Sequence, residues 1–317
     1  MSDTLTAPAT PLGTIPDTTP ASASGGIDVP DPVGAHLRSW IGREEIATDV
    51  VSADLVAKFN ATLDHDAPFP EPGETAPRFI HFCLTQAVRP LRALGRDGHP
   101  ERGGFLPPVP LPRRMRAGGE VVFHDDLRVG DRVTRLARIR DVVVKEGRSG
   151  ALCFVTVENH VAVDARPILT ETEDIVYRPD GNAGGGPSGP GRTPRPTETA
   201  AGPGTWSRPW PVTTTQLFRY SAITFNGHRI HYDRAYAREV EGYPGLVVHG
   251  PLQTTLLYRF ATDLRGTPPA RFRFRGLSPI FDHDTLALHA EETETGLSLW
   301  TAKDGGPVAT LAQAEWD

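Results

Sequence analysis

The chain has 317 residues, with 38% hydrophobic and 23% charged side chains and a formal net charge of −6. That length can bury a sizeable core, and the balance suits a water-soluble globular protein rather than one that grips nucleic acid through a basic face. Cys83 and Cys153 are the only cysteines, each inside an apolar run. They exclude a disulfide scaffold and a Cys/His zinc module, and they fit a reducing compartment. No apolar run reaches the ~18–20 residues of a membrane span. With no Lys or Arg before Arg38 and no apolar signal core, the expectation is an untargeted cytoplasmic protein.

Residues 1–35 are rich in Thr, Ala, Pro, Ser and Gly, a composition that predicts a disordered tail. The first block of normal composition spans 36–178. It opens with a predicted helix from Ser52 to Leu63, with Ser52 as N-cap and Val56, Phe59 and Leu63 at helical spacing. A more apolar helix is expected next, its stripe formed by Ile80, Leu84, Ala87, Leu91 and Leu94 and its length limited by Pro90. Val-rich strand patterns follow at 120–124, 132–144, 151–163 and 170–177. A Gly/Pro-rich linker is predicted over 179–205, including Gly184-Gly185-Gly186. The second block, 206–317, repeats the plan: a short helix near 215–222, then an apolar helix over 250–264 with Leu252, Leu256 and Phe260 on one face. Strands are expected at 270–275, 285–291, 297–302 and 307–316. Helix followed by an antiparallel meander, twice, is an α+β architecture.

Polar functional groups concentrate in Phe225-Asn226-Gly227-His228-Arg229-Ile230-His231-Tyr232-Asp233. His228 and His231 can exchange protons near neutrality. Some sixteen residues on, His249-Gly250-Pro251 opens the apolar helix, so free backbone N–H groups and the positive end of the helix dipole are available to an oxyanion. The bland alternative is a structural or solvated histidine pair. A zinc site of His228, His231 and Asp233 is a further reading, disfavoured because such pairs usually sit on a helix at i, i+4 spacing. Asn226 cannot act as a base, but its amide can hold and orient a water. A segment from Gly95 to Gly119 gathers Arg96, Arg102, Arg113, Arg114 and Arg116 with His99; it reads either as a solvated cationic loop or as a phosphate site. Neither a Gly-x-Gly-x-x-Gly turn in strand–helix context nor a P-loop occurs, so nothing points to a nicotinamide, flavin or nucleotide-hydrolysis role.

The string Asn226…His231-x-Asp233 followed by His249-Gly250 resembles the motif of R-specific enoyl-CoA hydratases and MaoC-like dehydratases. The Phe-Asn-x-His-x-Ile-His-Tyr-Asp form resembles a narrower group, the mesaconyl-C4-CoA and itaconyl-CoA hydratases and the mitochondrial 3-hydroxyacyl-thioester dehydratases. Gly95-Arg96-Asp97-Gly98-His99-Pro100, the segment Gly103–Met115, Lys145–Gly150 and Asp174–Arg178 extend the likeness to the first block. The resemblance implies a double hotdog, two antiparallel sheets each wrapped around a central helix, with a non-catalytic first half that contacts CoA and a catalytic second half.

It implies a cofactor-free, metal-free hydro-lyase that adds or removes water across the α,β double bond of an acyl-CoA, such as mesaconyl-C4-CoA. His231 falls on the family's catalytic histidine, and Asn226 on the position of its catalytic aspartate. His228 joins them. Gly250, with His249, Arg229 and Tyr232, is expected to hold the thioester oxygen and substrate, and Arg113 and Arg114 the CoA phosphates. The expected partners are the acyl-CoA substrate and a second copy in a homodimer, with neither nucleic acid nor membrane. A dehydratase acting on acyl carrier protein and a non-catalytic thioester-binding hotdog stand as alternatives, the latter because of the Asn at 226.

Overall fold

The computed structural model describes residues 32–147, 150–179 and 200–316. Most of the expected tail and linker therefore lies outside the described residues. The last positions of the expected tail belong to a helix α1, Pro32–Arg38. The described residues form ten strands: β1 (Glu44–Val50), β2 (Arg113–Phe123), β3 (Arg132–Gly147), β4 (Gly150–Val163), β5 (Arg166–Arg178), β6 (Trp206–Trp210), β7 (Arg271–Gly276), β8 (Leu286–Glu292), β9 (Gly296–Lys303) and β10 (Val308–Glu315). All pair antiparallel, in the order β1-β3-β4-β5-β2-β7-β10-β9-β8-β6. Five strands come from each half of the chain. They are fused edge to edge where β2 pairs with β7, Gly118 opposite Arg275 through Val122 opposite Arg271. Glu120 braces that seam, accepting from Arg271 at 2.8 Å and from Arg273. The two expected sheets are thus one continuous sheet of two five-stranded halves. The edge strands β1 and β6 carry too few apolar alternations to read from sequence.

The second half wraps its strands around α4, Gly250–Arg265, which packs against β7, β8, β9 and β10. Pro251 fits the first turn, where its missing N–H costs nothing, and Gly266 ends the helix in a left-handed conformation at φ 73°. Leu252, Leu256, Leu257, Phe260 and Ala261 are buried. Gln253 is buried too, and its Oε1 accepts from the hydroxyls of Thr301 (2.7 Å) and Thr310 (3.1 Å), which pins the helix to β9 and β10.

The first half departs from this plan. The Ser52-capped helix is present as α2, Ala53–Thr62, with the Ser52 hydroxyl accepting the Leu55 N–H at 3.1 Å. The apolar helix expected from Ile80 to Leu94 is absent. In its place stand two 3-10 turns, Ile80–Cys83 and Leu91–Ala93, separated by extended chain. Phe79 and Thr85 adopt left-handed backbone at φ 71° and 55°. Thr85 N–H is held by Asp49 at 2.8 Å, and Pro90 blocks continuation. Ile80 and Leu84 are buried all the same, while Leu91 is 86% exposed; the stripe in the sequence came from two unrelated environments. Further along the same face of this half-sheet, Leu37 of α1 and Val109 cover Ile139, Val155, Val157 and Tyr177. No helix among the described residues is long and apolar enough to cross a membrane.

Candidate active site

The missing helix leaves a cavity of about 1270 Å³ between the halves. One wall is the catalytic-type loop of the second half. It follows α3, Thr214–Ile223, and turns sharply at Phe225, a non-glycine at φ 49°. The Asn226 N–H closes the turn onto the Ser221 carbonyl at 2.8 Å. A 3-10 turn, Arg229–His231, then buries His231 to 7% exposure. His231 Nδ1 lies 2.7 Å from the Val247 carbonyl, which can only accept. Nδ1 therefore carries the proton, and Nε2 of the neutral ring is a bare base. Burial is the main cause that lowers its pKa to about 4, with a smaller push from His99 against the Val247 bond.

His249 stacks on His231 with ring centroids 3.7 Å apart and 19° between planes. Its Nε2 sits 2.8 Å from the Ser221 hydroxyl, and it has no exposed surface. It backs His231 and does not line the cavity, contrary to the substrate-binding role expected for it. Gly250 does line the cavity. As the first residue of α4 its N–H has no acceptor in the helix ladder. Nothing lies within 4 Å of where a Cβ would project, so the position is open.

Asn226 and His228 line the cavity as well. The Asn226 Oδ1 accepts the His228 backbone N–H at 3.0 Å, which turns the amide NH₂ the other way as the group able to meet a water. Tyr232 is on the wall, its hydroxyl donating to the Gly227 carbonyl at 2.9 Å. Arg229 is not: its guanidinium donates twice to Asp233 (3.1 and 2.8 Å) and lies 4.2 Å over the Tyr236 ring, so the expectation that it binds substrate fails. Arg113 and Arg114 belong to strand β2 rather than a loop. Both reach the cavity, Arg113 while paired with Glu241 at 3.4 Å.

Two features go beyond the sequence reading, which placed Arg116 and His99 in a solvated or phosphate-binding segment. The first-half floor of the cavity is charged: half-buried Arg116 pairs with buried Glu171 and, at 3.2 Å, with Glu173, while Asn159 donates to Glu171 at 3.3 Å. Burial works against the Arg116 charge, but Glu173 and Glu171 raise its pKa above the ordinary arginine value. His81, 4.0 Å from Glu171, is driven to about 3 by burial and then by the Arg116 charge, and is neutral. These residues alternate along strands whose pattern suggested only a core face. The second feature is Asp97 and His99, which meet the catalytic loop. Asp97, His99 and His228 place potential ligand atoms within 4.8 Å of one another, compact enough for a cation, although His99 Nδ1 is already engaged by Asp97 at 3.0 Å. The Asp-Gly-His spacing was the available signal.

A cavity that joins a buried imidazole to a helix N-terminus can move a proton beside a stabilised oxyanion, the chemistry that a thioester hydratase or dehydratase needs. Solved structures of low identity share the fold: a MaoC-like dehydratase from Phytophthora capsici (16% identity, TM-score 0.62, covering 89% of this chain and 99% of that one). A double-hotdog protein from Mycobacterium tuberculosis matches at 14% identity and TM-score 0.51, over 87% and 96% of the two chains. Residues 79–282 match the family hydroxyacyl-thioester dehydratase type 2. The mesaconyl-C(4)-CoA hydratase of Chloroflexus aurantiacus is 39% identical over 282 residues, 89% of this chain and 98% of that protein. The mitochondrial hydroxyacyl-thioester dehydratase type 2 of Schizosaccharomyces pombe is 40% identical over 89 residues, 26% of this chain and 30% of its own. The chain belongs to the hydroxyacyl-thioester dehydratase type 2 family and is a hydro-lyase acting on acyl thioesters.

Proposed function

We propose that this enzyme reversibly hydrates a short branched or dicarboxylic enoyl-CoA, with mesaconyl-C4-CoA as the leading substrate. The observation that carries the reading is that the bare Nε2 ring of His231 and the free N–H end of α4 face one cavity. The Asn226 amide donates to a water, and His231 Nε2 takes that water's proton as its oxygen bonds to Cβ. The Gly250 N–H holds the negative charge that develops on the thioester oxygen. Contributions of about 10²–10⁴-fold from the base and about 10²–10³-fold from the oxyanion donor are expected. None of these steps calls for a cofactor beyond the CoA of the substrate. Arg114, with Arg113, is assigned to the CoA phosphates, which guanidinium groups bind as bidentate donors. The high identity to a mesaconyl-C(4)-CoA hydratase over nearly that whole protein supports the choice of acyl group.

The test is loss of the enoyl-thioester absorbance with mesaconyl-C4-CoA, an unbranched enoyl-CoA and the matching acyl-carrier-protein thioester. The highest kcat/KM is expected for mesaconyl-C4-CoA. A preference for the carrier-protein thioester would reassign the substrate, and no hydration of any of them would refute the reading.

A further inference from the structure

Residues 95–100 of the first half are built against the catalytic loop of the second. A Cβ on Gly98 would lie 1.9 Å from the Gly227 carbonyl oxygen, and one on Gly227 would lie 2.6 Å from that of Gly98, so the approach requires glycine on both sides. The Arg229 N–H donates to the Asp97 carbonyl at 2.9 Å, and its guanidinium donates to the Arg96 carbonyl at 3.1 Å. This docking delivers His99. Its ring centroid is 4.2 Å from that of His228, which is 5.4 Å from that of His231, and all three rings line the cavity. Asp97 grips His99 twice: its carboxylate accepts the His99 backbone N–H and the Nδ1–H, both at 3.0 Å. The second bond keeps a proton on Nδ1 and leaves Nε2 free to take up and release a second one, the logic of an acid–base ring oriented by a half-buried carboxylate.

Hydration needs two proton transfers, one from the attacking water and one to Cα. The catalytic loop carries an amide at position 226 where the motif it resembles has a carboxylate, and its remaining carboxylate, Asp233, is committed to Arg229. We propose that His99, held by Asp97, is a second acid–base residue of the reaction and exchanges the proton at Cα, so that the first half completes the active site. The proposal rests on the hydratase reading above. In hydration, water oxygen forms the Cβ–O bond while His231 Nε2 takes its proton, and the double-bond electrons move onto the thioester oxygen. The enolate then collapses: His99, entering the cycle as the imidazolium beside the Asp97 carboxylate, gives its Nε2 proton to Cα, and the carbonyl re-forms. His231 has gained one proton and His99 has lost one. One proton passed back through the intervening His228 resets the enzyme, and the net change is addition of water.

The surroundings order the pair in this sense. His231 has no anionic partner. His99 is lowered overall, by burial first and with help from the Arg114 and Arg102 charges, while the hydrogen bond and charge of Asp97 oppose the shift. His228, which also faces this group, is held to about 2 by burial and then by its two histidine neighbours, so it rests neutral. Both rings are lowered, and the Asp97 carboxylate beside His99 is what favours its charged form over that of His231.

The experiment compares the parent, His99→Ala, Asp97→Asn and His231→Ala, each checked for cooperative unfolding, in hydration of mesaconyl-C4-CoA and in dehydration of its Cα-deuterated product. His99→Ala is expected to lose about 10²–10⁴-fold in kcat and to show a larger Cα isotope effect than the parent. His231→Ala is expected to lose rate without that increase. Asp97→Asn, which leaves the ring in place, is expected to move the basic limb of the hydration profile to lower pH, because it removes the charge that lifts His99. Near-parental turnover and an unmoved limb in His99→Ala and Asp97→Asn would overturn the proposal while leaving the hydratase reading intact. So would activity lost on chelation and restored by Zn²⁺, which would make Asp97, His99 and His228 a metal centre. A parent that hydrates no enoyl-thioester would overturn both.

Discussion

The two halves of the sheet are alike in strand number and antiparallel pairing, yet they cover their concave faces differently. The second half lays α4 across β7–β10 and seals it with apolar side chains and Gln253. The first half leaves that place open, and lines it with Arg116, Glu171, Asn159 and neutral His81. A covered half supplies a rigid helix N-terminus and a buried imidazole. An uncovered half supplies room for an acyl chain and a loop that reaches across. The difference between the halves, rather than either alone, makes the site.

The largest expected effect falls on the covered half. His231→Ala removes the base and should lower kcat by about 10²–10⁴-fold in protein that still unfolds cooperatively at a lower melting temperature, measured by the enoyl-thioester assay and by calorimetry. Normal turnover in that variant would hand the role to His228.

Next in size is the response of both halves to acid. His231 at about 4 and His81 at about 3 are depressed from the ordinary 6.5 by burial. Unfolding lets each ring take up a proton, so the unfolded state binds more protons between those values and 6.5. Stability is therefore full above the unfolded value and is lost as pH falls towards the folded ones, by about 3 kcal/mol or more for each ring. Denaturant titrations from neutral pH to about pH 4 should show this loss. His81→Leu should remove the share of the first half, and an unchanged slope would contradict its burial as a neutral ring.

A somewhat smaller effect tests the charged floor. Glu171→Gln strips Arg116 of one of its two carboxylates and should cost up to about 3 kcal/mol, the low end for a broken buried pair because Glu173 remains. Urea denaturation measures it, and a neutral outcome would mean that the cavity floor is already hydrated. Smallest is Asn226→Ala, which removes one hydrogen bond to water and should reduce kcat about tenfold; the enoyl-thioester assay reads it, and a loss as large as that of His231→Ala would make Asn226 more than a water holder.

Much of this was legible in the sequence where local pattern and environment agree. Ser52 capped its helix, α4 began at Gly250, and the Val-rich runs became β3 and β4. The stripe from Ile80 to Leu94 misled, because periodicity reports burial and here burial came from turns anchored by Asp49 and Pro90. In the site, His231, Asn226, His228 and Gly250 line one cavity, as the resemblance implied. Arg229 and His249 did not reach the cavity: one is held by Asp233, and the other is spent on backing His231. Asp97 and His99 were in view as a motif, but their meeting with His228 depends on two glycines more than a hundred residues apart, and spacing along the chain cannot show that.

The most direct test of His231 as the base is the acid limb of kcat/KM, with its temperature dependence. The buried neutral imidazole places that limb near 4, where carboxylates also titrate, so its position alone does not name the group. The expected result is a limb near that value that shifts strongly with temperature, as imidazolium ionisation does, and that disappears in His231→Ala. A limb that stays fixed with temperature, or that survives unchanged in His231→Ala, would show that a carboxyl group is the base and that proton transfer to His231 is not part of the reaction.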